Sequence, residues 1–113
     1  MNQSRLYRVN RFVGRFASVG KCPKIRWEDI VRIEAFGTDV VGAFAIVVTF
    51  YYEDGTHVEI HPEQSGYYKI VESLDQRFSS ISPDWFEEMR KAGKNCPDVE
   101  RTLYSVQTEA TST

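Results

Sequence analysis

Apolar and polar residues alternate along the stretch from Phe44 to His61, and this alternation predicts a long β-hairpin that turns at Asp54-Gly55. Side chains two residues apart point to the same side of a strand, so the first strand gathers its large apolar side chains on one face: Phe44, Ile46, Val48, Phe50 and Tyr52. On the return strand, three polar residues lie on the face opposite the apolar ones: His57, Glu59 and His61. The hairpin is therefore predicted to have one core face and one polar face, and Tyr51 lies on the polar face.

The length of the hairpin loop decides which side chains face each other. A two-residue loop would pair Phe50 with Glu59 and place the histidines on the aromatic face, whereas a three-residue loop pairs Phe50 with Val58. A slip of one residue moves every side chain to the other face, so the segregation of apolar from polar residues favours the three-residue loop. We predict a type I turn with Gly55 in the left-handed region, forming a G1 bulge, because glycine lacks the Cβ that makes this region costly.

The period of the apolar residues predicts the remaining elements. Alternation predicts strands at 6–13, 25–27, 30–36 and 101–106, with a loop at 37–39. Whether the part before residue 24 is one bent strand or a hairpin is left open. Helical spacing predicts a helix over 65–79 with Ser65 as its N-cap. Ser82-Pro83-Asp84 predicts the start of a second helix that stops at Gly93.

Together these elements predict a single α+β domain over residues 1–113. We expect a mainly antiparallel sheet of five to seven strands, followed by two C-terminal helices packed on it and a last short strand. A chain of 113 residues is long enough for one hydrophobic core. Residues 1–24 are predicted to be a basic N-terminal strand segment, and residues 108–113 a frayed tail.

Hydropathy and cysteine content predict a cytoplasmic protein. No run approaches the roughly 20 apolar residues of a membrane span, so no transmembrane segment is expected, and the first residues lack the apolar core of a signal peptide. Cys22 and Cys96 are therefore expected to remain thiols, since reducing compartments disfavour disulfides. A disulfide between them is the alternative.

Charge is distributed unevenly along the chain. The first 27 residues carry seven basic side chains and no acid, and all 16 acids follow them. One interpretation is that a basic N-terminal segment lies against an acidic body. The other is a basic surface for nucleic acid, anionic lipid or an acidic partner. The residues that would form this surface are Arg5, Arg8, Arg11, Arg15, Lys21 and Lys24.

Few residues point to chemistry. His57, Glu59 and His61 have a spacing that would suit zinc, but the same alternation is what an amphipathic strand requires, so we predict a solvated face and assign no metal and no cofactor. The chain also lacks a Gly-x-Ser-x-Gly elbow and a phosphate-binding glycine loop, and we assign no catalytic residue. A metal-dependent enzyme centred on these three residues is kept as an alternative function.

The middle of the chain resembles small uncharacterised bacterial proteins with an Ile-x-Trp-x-x-Ile strand, an Asp-Gly hairpin and an Asp-Trp helix. The matching residues fall between about residues 25 and 104: Ile25, Trp27, Ile30, Asp54-Gly55, Gly66-Tyr67 and Asp84-Trp85. Some of these proteins look like immunity proteins from toxin loci. The resemblance implies no catalytic residue.

The function we expect is that of a non-enzymatic cytosolic protein that binds another protein, with an immunity-type inhibitor as one form. Acidic and polar residues of the hairpin and its surroundings would complement a basic partner. The residues expected to bind it are Tyr51, His57, Glu59, His61, Asp39, Glu53 and Asp54. The alternative is a nucleic-acid or anionic-surface binder that uses the basic N-terminal segment.

Overall fold

Residues 20–40 and 42–106 are described by a computed structural model of the protein. The predicted strand at 6–13 and the predicted tail at 108–113 lie outside these residues. So do four members of the predicted basic surface: Arg5, Arg8, Arg11 and Arg15.

An antiparallel sheet of four strands forms the centre of the described part of the chain. The strands are β1 (Ile30–Val40), β2 (Ala43–Tyr52), β3 (His57–Ile60) and β4 (Glu100–Ser105). Their order across the sheet is β3-β2-β1-β4, and each neighbouring pair is antiparallel. Strand β4, the last of the described strands, therefore lies beside β1, at the sheet edge opposite the hairpin strand β3.

The hairpin between β2 and β3 has the predicted register. Phe50 lies opposite Val58, as the three-residue loop requires. The Gly55 amide donates to the Tyr52 carbonyl at 3.0 Å, and the Tyr52 amide donates to the Thr56 carbonyl at 2.8 Å. Gly55 has a φ of 91°, which is the left-handed conformation. The predicted loop length, and the left-handed glycine that allows it, are confirmed.

The prediction of five to seven strands is wrong, since the described residues form four. Segment 25–27 is not a strand: Trp27–Asp29 form a 3-10 turn, in which the Asp29 amide donates to the Arg26 carbonyl at 3.1 Å. Residues 37–39, predicted as a loop, instead continue β1. Gly37 permits this because it has no side chain where Phe44 and Pro97 approach its Cα. An α+β class remains consistent with the structure.

Two helices, α1 (Tyr67–Arg77) and α2 (Trp85–Gly93), follow the hairpin. Neither is long and apolar enough to span a membrane. Helix α1 begins later than predicted, with Gly66 at its N-cap and no side-chain cap. Gly66 has a φ of 94°, so a left-handed residue separates Ser65 from the first helical turn. Helix α2 ends at the predicted glycine.

The two helices cover one face of the sheet and form the main core with it. The sheet contributes buried apolar side chains from every strand: Ile33, Ala35, Ile46, Val48, Phe50, Tyr52, Ile60 and Leu103. The helices contribute the apolar stripes that periodicity predicts: Tyr67, Val71, Leu74, Trp85 and Met89. Phe36 and Val47 form a separate buried cluster on the opposite face of the sheet.

Both cysteines are thiols in the structure. The Cys22 Sγ donates to Gln64 Oε1 at 3.7 Å, and the Cys96 Sγ donates to Asp98 Oδ1 at 3.2 Å. Burial raises the pKa of the Cys22 thiol, because the thiolate would lose solvation there. Cys22 is therefore held in its protonated, less reactive form.

Candidate functional site

The polar face of the hairpin carries four of the seven predicted partner-binding residues, which form an outer and an inner pair. Tyr51 and His57 lie opposite each other, with ring centroids 5.7 Å apart, and His57 is exposed. Glu59 and His61 are 2% and 4% exposed, and Glu59 Oε1 lies 3.5 Å from His61 Nε2. The outer pair therefore has surface to offer a partner, and the inner pair has almost none.

Tyr51 belongs to a polar network that crosses from β2 to β1. Its hydroxyl donates to Glu34 Oε1 at 3.2 Å, and the buried Glu34 forms an ion pair with Arg32. The Arg32 guanidinium lies 5.6 Å from the centroid of the Tyr51 ring. These groups satisfy one another, so the network fixes the orientation of Tyr51 and balances the Glu34 charge.

The histidine spacing does not gather a metal site among the residues that the structure describes. No group of three His, Cys, Asp or Glu side chains there lies close enough to hold an ion. His57 is exposed while His61 is buried at the end of the same strand. The absence of a resident metal or cofactor stays a prediction.

The predicted acidic residues lie at two exposed places. Asp39 is near the end of β1, and Glu53 and Asp54 form the hairpin turn. The Asp54 carboxylate accepts hydrogen bonds from the Thr56 hydroxyl at 2.6 Å and amide at 2.9 Å, and from Arg26 Nη2 at 3.4 Å. The bonds from Thr56, with a smaller contribution from Arg26, hold the pKa of Asp54 below its ordinary value. Asp54 is thus already paired within the chain.

An open groove lies between segment 23–27 and helix α1. Its volume is ≈ 470 Å³, within the range of roughly 300–1,000 Å³ that is typical of ligand sites. We call it the Trp27 groove. Its lining residues are Pro23, Lys24, Ile25, Trp27, Lys69, Ile70, Ser73 and Arg77. Lys24 is the predicted basic-surface residue that the structure brings to this groove; Lys21 is exposed before it.

Trp27 is held rigidly as part of the groove lining. The 3-10 turn places its ring in edge-to-face contact with Phe50, at a centroid distance of 5.8 Å, and 6.3 Å from Phe78. The Arg77 guanidinium lies 3.9 Å from the centroid of the Trp27 ring. The indole therefore bridges the core and the surface, and a cation covers one face of its ring.

The charged residues that line the groove are all cationic. Four arginines elsewhere on the described surface each have a carboxylate partner: Arg26, Arg32, Arg90 and Arg101. Within the described residues, no carboxylate forms an ion pair with Lys24, Lys69 or Arg77. The Trp27 groove thus combines an apolar surface with positive charge that has no ion-pair partner among the described residues.

A second, smaller groove of ≈ 300 Å³ lies at the other end of helix α1. Half of its lining residues are aromatic: the full set is Phe44, Ala45, Ile46, Pro62, Tyr67, Tyr68, Phe86 and Arg90. Tyr68 is 55% exposed and packs edge-to-face with Phe86. The one charged lining residue, Arg90, already pairs with Glu87 at 3.3 Å. The lining of this groove therefore indicates the charge of a partner less clearly than the lining of the Trp27 groove does.

Sequence reasoning missed most of the Trp27 groove. Trp27 belongs to a segment predicted as a strand, and Ile70 lies within the predicted helix 65–79. The available signal was the spacing of Lys69, Ser73 and Arg77, because residues four apart form one row on a helix. Nothing in the sequence shows that segment 23–27 lies beside that row.

Comparisons with protein-family models, curated proteins and solved structures give no match.

Proposed function

We propose that the protein is a non-enzymatic cytosolic module that binds another protein in the Trp27 groove. The observation that supports this function is an apolar surface that stays open in the folded chain. Ile25, Trp27 and Ile70 line it from two different elements, and Trp27 and Ile70 retain partial exposure. Apolar surface left accessible and rimmed by polar groups is typical of protein contact sites.

The groove is also formed before any partner arrives. Trp27 is fixed by Phe50 and by Arg77, so binding need not order it. Tryptophan and arginine are the residues that most often dominate the binding energy of protein interfaces. A rigid Trp–Arg pair beside an aliphatic floor therefore favours a protein ligand.

An immunity-type inhibitor is one form of this proposal. The resemblance to immunity-like proteins supports it, since such a protein needs a binding surface and no catalytic group. The polar hairpin residues Tyr51 and His57 remain candidates for contacting the same partner, whereas the burial of Glu59 and His61 favours a structural role for those two.

The test uses the full chain as bait in extracts of the cell that encodes it, followed by calorimetry with the purified partner. Ile70→Gln should weaken binding roughly tenfold or more, because it places an amide on the apolar lining. Tyr68→Ala is the matched control, since Tyr68 is exposed on the same helix but lines the other groove. Circular dichroism of each variant checks that the fold is retained.

Two results would overturn the proposed location of the site. If Ile70→Gln binds the partner as tightly as the wild type does, the partner does not use the Trp27 groove. If His57→Ala or Tyr51→Ala abolishes binding while Ile70→Gln does not, the polar hairpin face is the binding site instead.

A further inference from the structure

We infer that the segment bound in the Trp27 groove is an acidic peptide stretch with a large apolar side chain between carboxylates, and that Arg77 binds one of those carboxylates. This inference rests on the proposed function and adds the chemistry of the partner. It depends on three features of the groove: the placement of its charges, the restraint on Arg77, and the coverage of Trp27.

Positive charge lies on both sides of the groove. Lys24 belongs to segment 23–27, while Lys69 and Arg77 belong to helix α1. Lys69 and Arg77 are two helical turns apart, which is about 12 Å at 1.5 Å per residue. An extended peptide covers that distance in about four residues. The spacing therefore fits two carboxylates three to four residues apart, with an apolar side chain between them directed at Ile25 and Ile70.

Arg77 is restrained in a way that suits carboxylate binding. Its Nε donates to Ser73 Oγ at 3.3 Å, and Ser73 Oγ in turn donates to the Ile70 carbonyl at 2.8 Å. Its guanidinium also lies against the Trp27 ring. Within the described residues, neither terminal nitrogen of Arg77 has a hydrogen-bond partner. A planar guanidinium held in this way can donate two parallel hydrogen bonds to one carboxylate, which a lysine ammonium cannot do.

The position of the Arg77 guanidinium over the Trp27 ring disfavours a nucleic acid as the ligand. Single-stranded nucleic acid binds through bases stacked on open aromatic faces beside a positive track. Arg77 occupies one face of Trp27, and the rest of the apolar lining is aliphatic: Pro23, Ile25 and Ile70. The chain as a whole is also negative, with a formal net charge of −2. Aliphatic surface beside cations that have no ion-pair partner in the described part of the chain fits an acidic peptide better than stacked bases.

The experiment pans a phage library of random peptides of about ten residues against the full chain. Enriched peptides should combine Asp or Glu with Leu, Ile or Phe. A fluorescein-labelled synthetic copy of one enriched peptide is then titrated by fluorescence anisotropy, beside its Asn/Gln isostere and an oligothymidylate of about 12 nucleotides. Thermal melts monitored by circular dichroism confirm that each variant folds.

The affinities of the variants distinguish a specific contact of Arg77 from a general effect of positive charge. Arg77→Gln should weaken binding of the acidic peptide roughly tenfold or more, and Arg77→Lys should do nearly the same because it loses the paired hydrogen bonds. Lys94→Gln is the matched control, since it removes an exposed positive charge outside the groove. The isostere should bind the wild type at least as weakly as the acidic peptide binds Arg77→Gln, because it loses every carboxylate contact.

The failures of the two proposals can be distinguished. If enriched peptides lose binding in Ile70→Gln but bind Arg77→Gln and the wild type equally, the groove binds peptides and the acidic inference is wrong. If no enriched peptide depends on Ile70, the groove itself is wrong and both proposals fail. If oligothymidylate binds in a manner that requires Arg77 and no peptide does so, the ligand of the groove is a nucleic acid and the peptide inference is wrong.

Discussion

The phenol of Tyr67, at the start of helix α1, donates a hydrogen bond to the backbone carbonyl of Ile46 in strand β2. Tyr67 is 1% exposed, and burial raises the pKa of its hydroxyl far above the ordinary value. Strand β3 pairs with β2 between Val48 and Tyr51, so Ile46 lies beyond the end of that ladder. The tyrosine hydroxyl therefore donates a hydrogen bond to β2 at a position where β3 no longer pairs with it. This bond links helix α1 to the sheet.

Tyr67→Phe should lower the free energy of unfolding by about 1–3 kcal/mol, because it leaves a buried carbonyl without this donor while keeping the ring. Urea denaturation at neutral pH measures the change. Tyr68→Phe is the control at the neighbouring, exposed position and should be close to neutral. If the two variants are equally stable, the hydrogen bond to Ile46 contributes nothing to the stability of the fold.

The hairpin loop offers a test of backbone conformation alone. Gly55 has a φ of 91°, and a Cβ built there would meet no atom within 4 Å. Gly55→Ala should therefore destabilise the protein by about 1–2 kcal/mol through the cost of the left-handed region. Gly55→Asn should cost less, since asparagine tolerates that region better. Equal urea midpoints for Gly55→Ala and Gly55→Asn would contradict this explanation.

The hairpin could be predicted because its causes are local. The alternation around Phe50 and Val58 and the glycine at position 55 agree on a single register, and no distant residue is needed to choose it. Helix α2 also ends at the predicted glycine, although Gly93 does not adopt the left-handed conformation of a glycine cap.

The errors arise where distant parts of the chain meet. Strand β1 continues at Gly37, where Phe44 and the Pro97 carbonyl pack too closely to leave room for a side chain. Pro97 lies 60 positions after Gly37 in the sequence. The Trp27 groove depends in the same way on Arg77, which is 50 residues from the ring that it covers. Periodicity describes each segment separately, so it cannot show which segments become neighbours.

Asp54 should make stability depend on pH in the acid range. Its folded pKa lies below the ordinary value of 3.8 because Thr56 and Arg26 hydrogen-bond the charged form. The unfolded chain therefore takes up the proton first as pH falls. The stabilising contribution of Asp54 is fully present above pH 3.8 and is lost as pH falls through the folded pKa.

The comparison of wild type with Asp54→Ala checks this sign. The difference between their urea midpoints should be constant between neutral pH and about pH 5, and should shrink toward zero in more acid solution. Glu53→Ala is the control, because no side chain in the described residues hydrogen-bonds the Glu53 carboxylate. A difference that grows on acidification would show that the network around Asp54 favours the protonated form.

Phe44 occupies the space beside two glycines, and this arrangement allows a test of tertiary packing. A Cβ on Gly93 would overlap the end of the Phe44 ring. Gly93→Ala should therefore destabilise the protein by about 1–3 kcal/mol through overpacking, although alanine is the better helix former by about 1 kcal/mol. In a Phe44→Leu background the overlap is relieved, so the same change should cost much less, with a coupling energy of about 1 kcal/mol or more.

Gly37→Ala provides the contrast, because its Cβ would lie 2.6 Å from the Pro97 carbonyl oxygen as well as 2.5 Å from Phe44. A flexible ring can move away, but a backbone carbonyl in a turn cannot do so without shifting the chain. Phe44→Leu should therefore rescue Gly93→Ala but not Gly37→Ala in urea denaturation. If it rescues both, Pro97 yields easily, and the continuation of β1 through Gly37 depends on the ring alone.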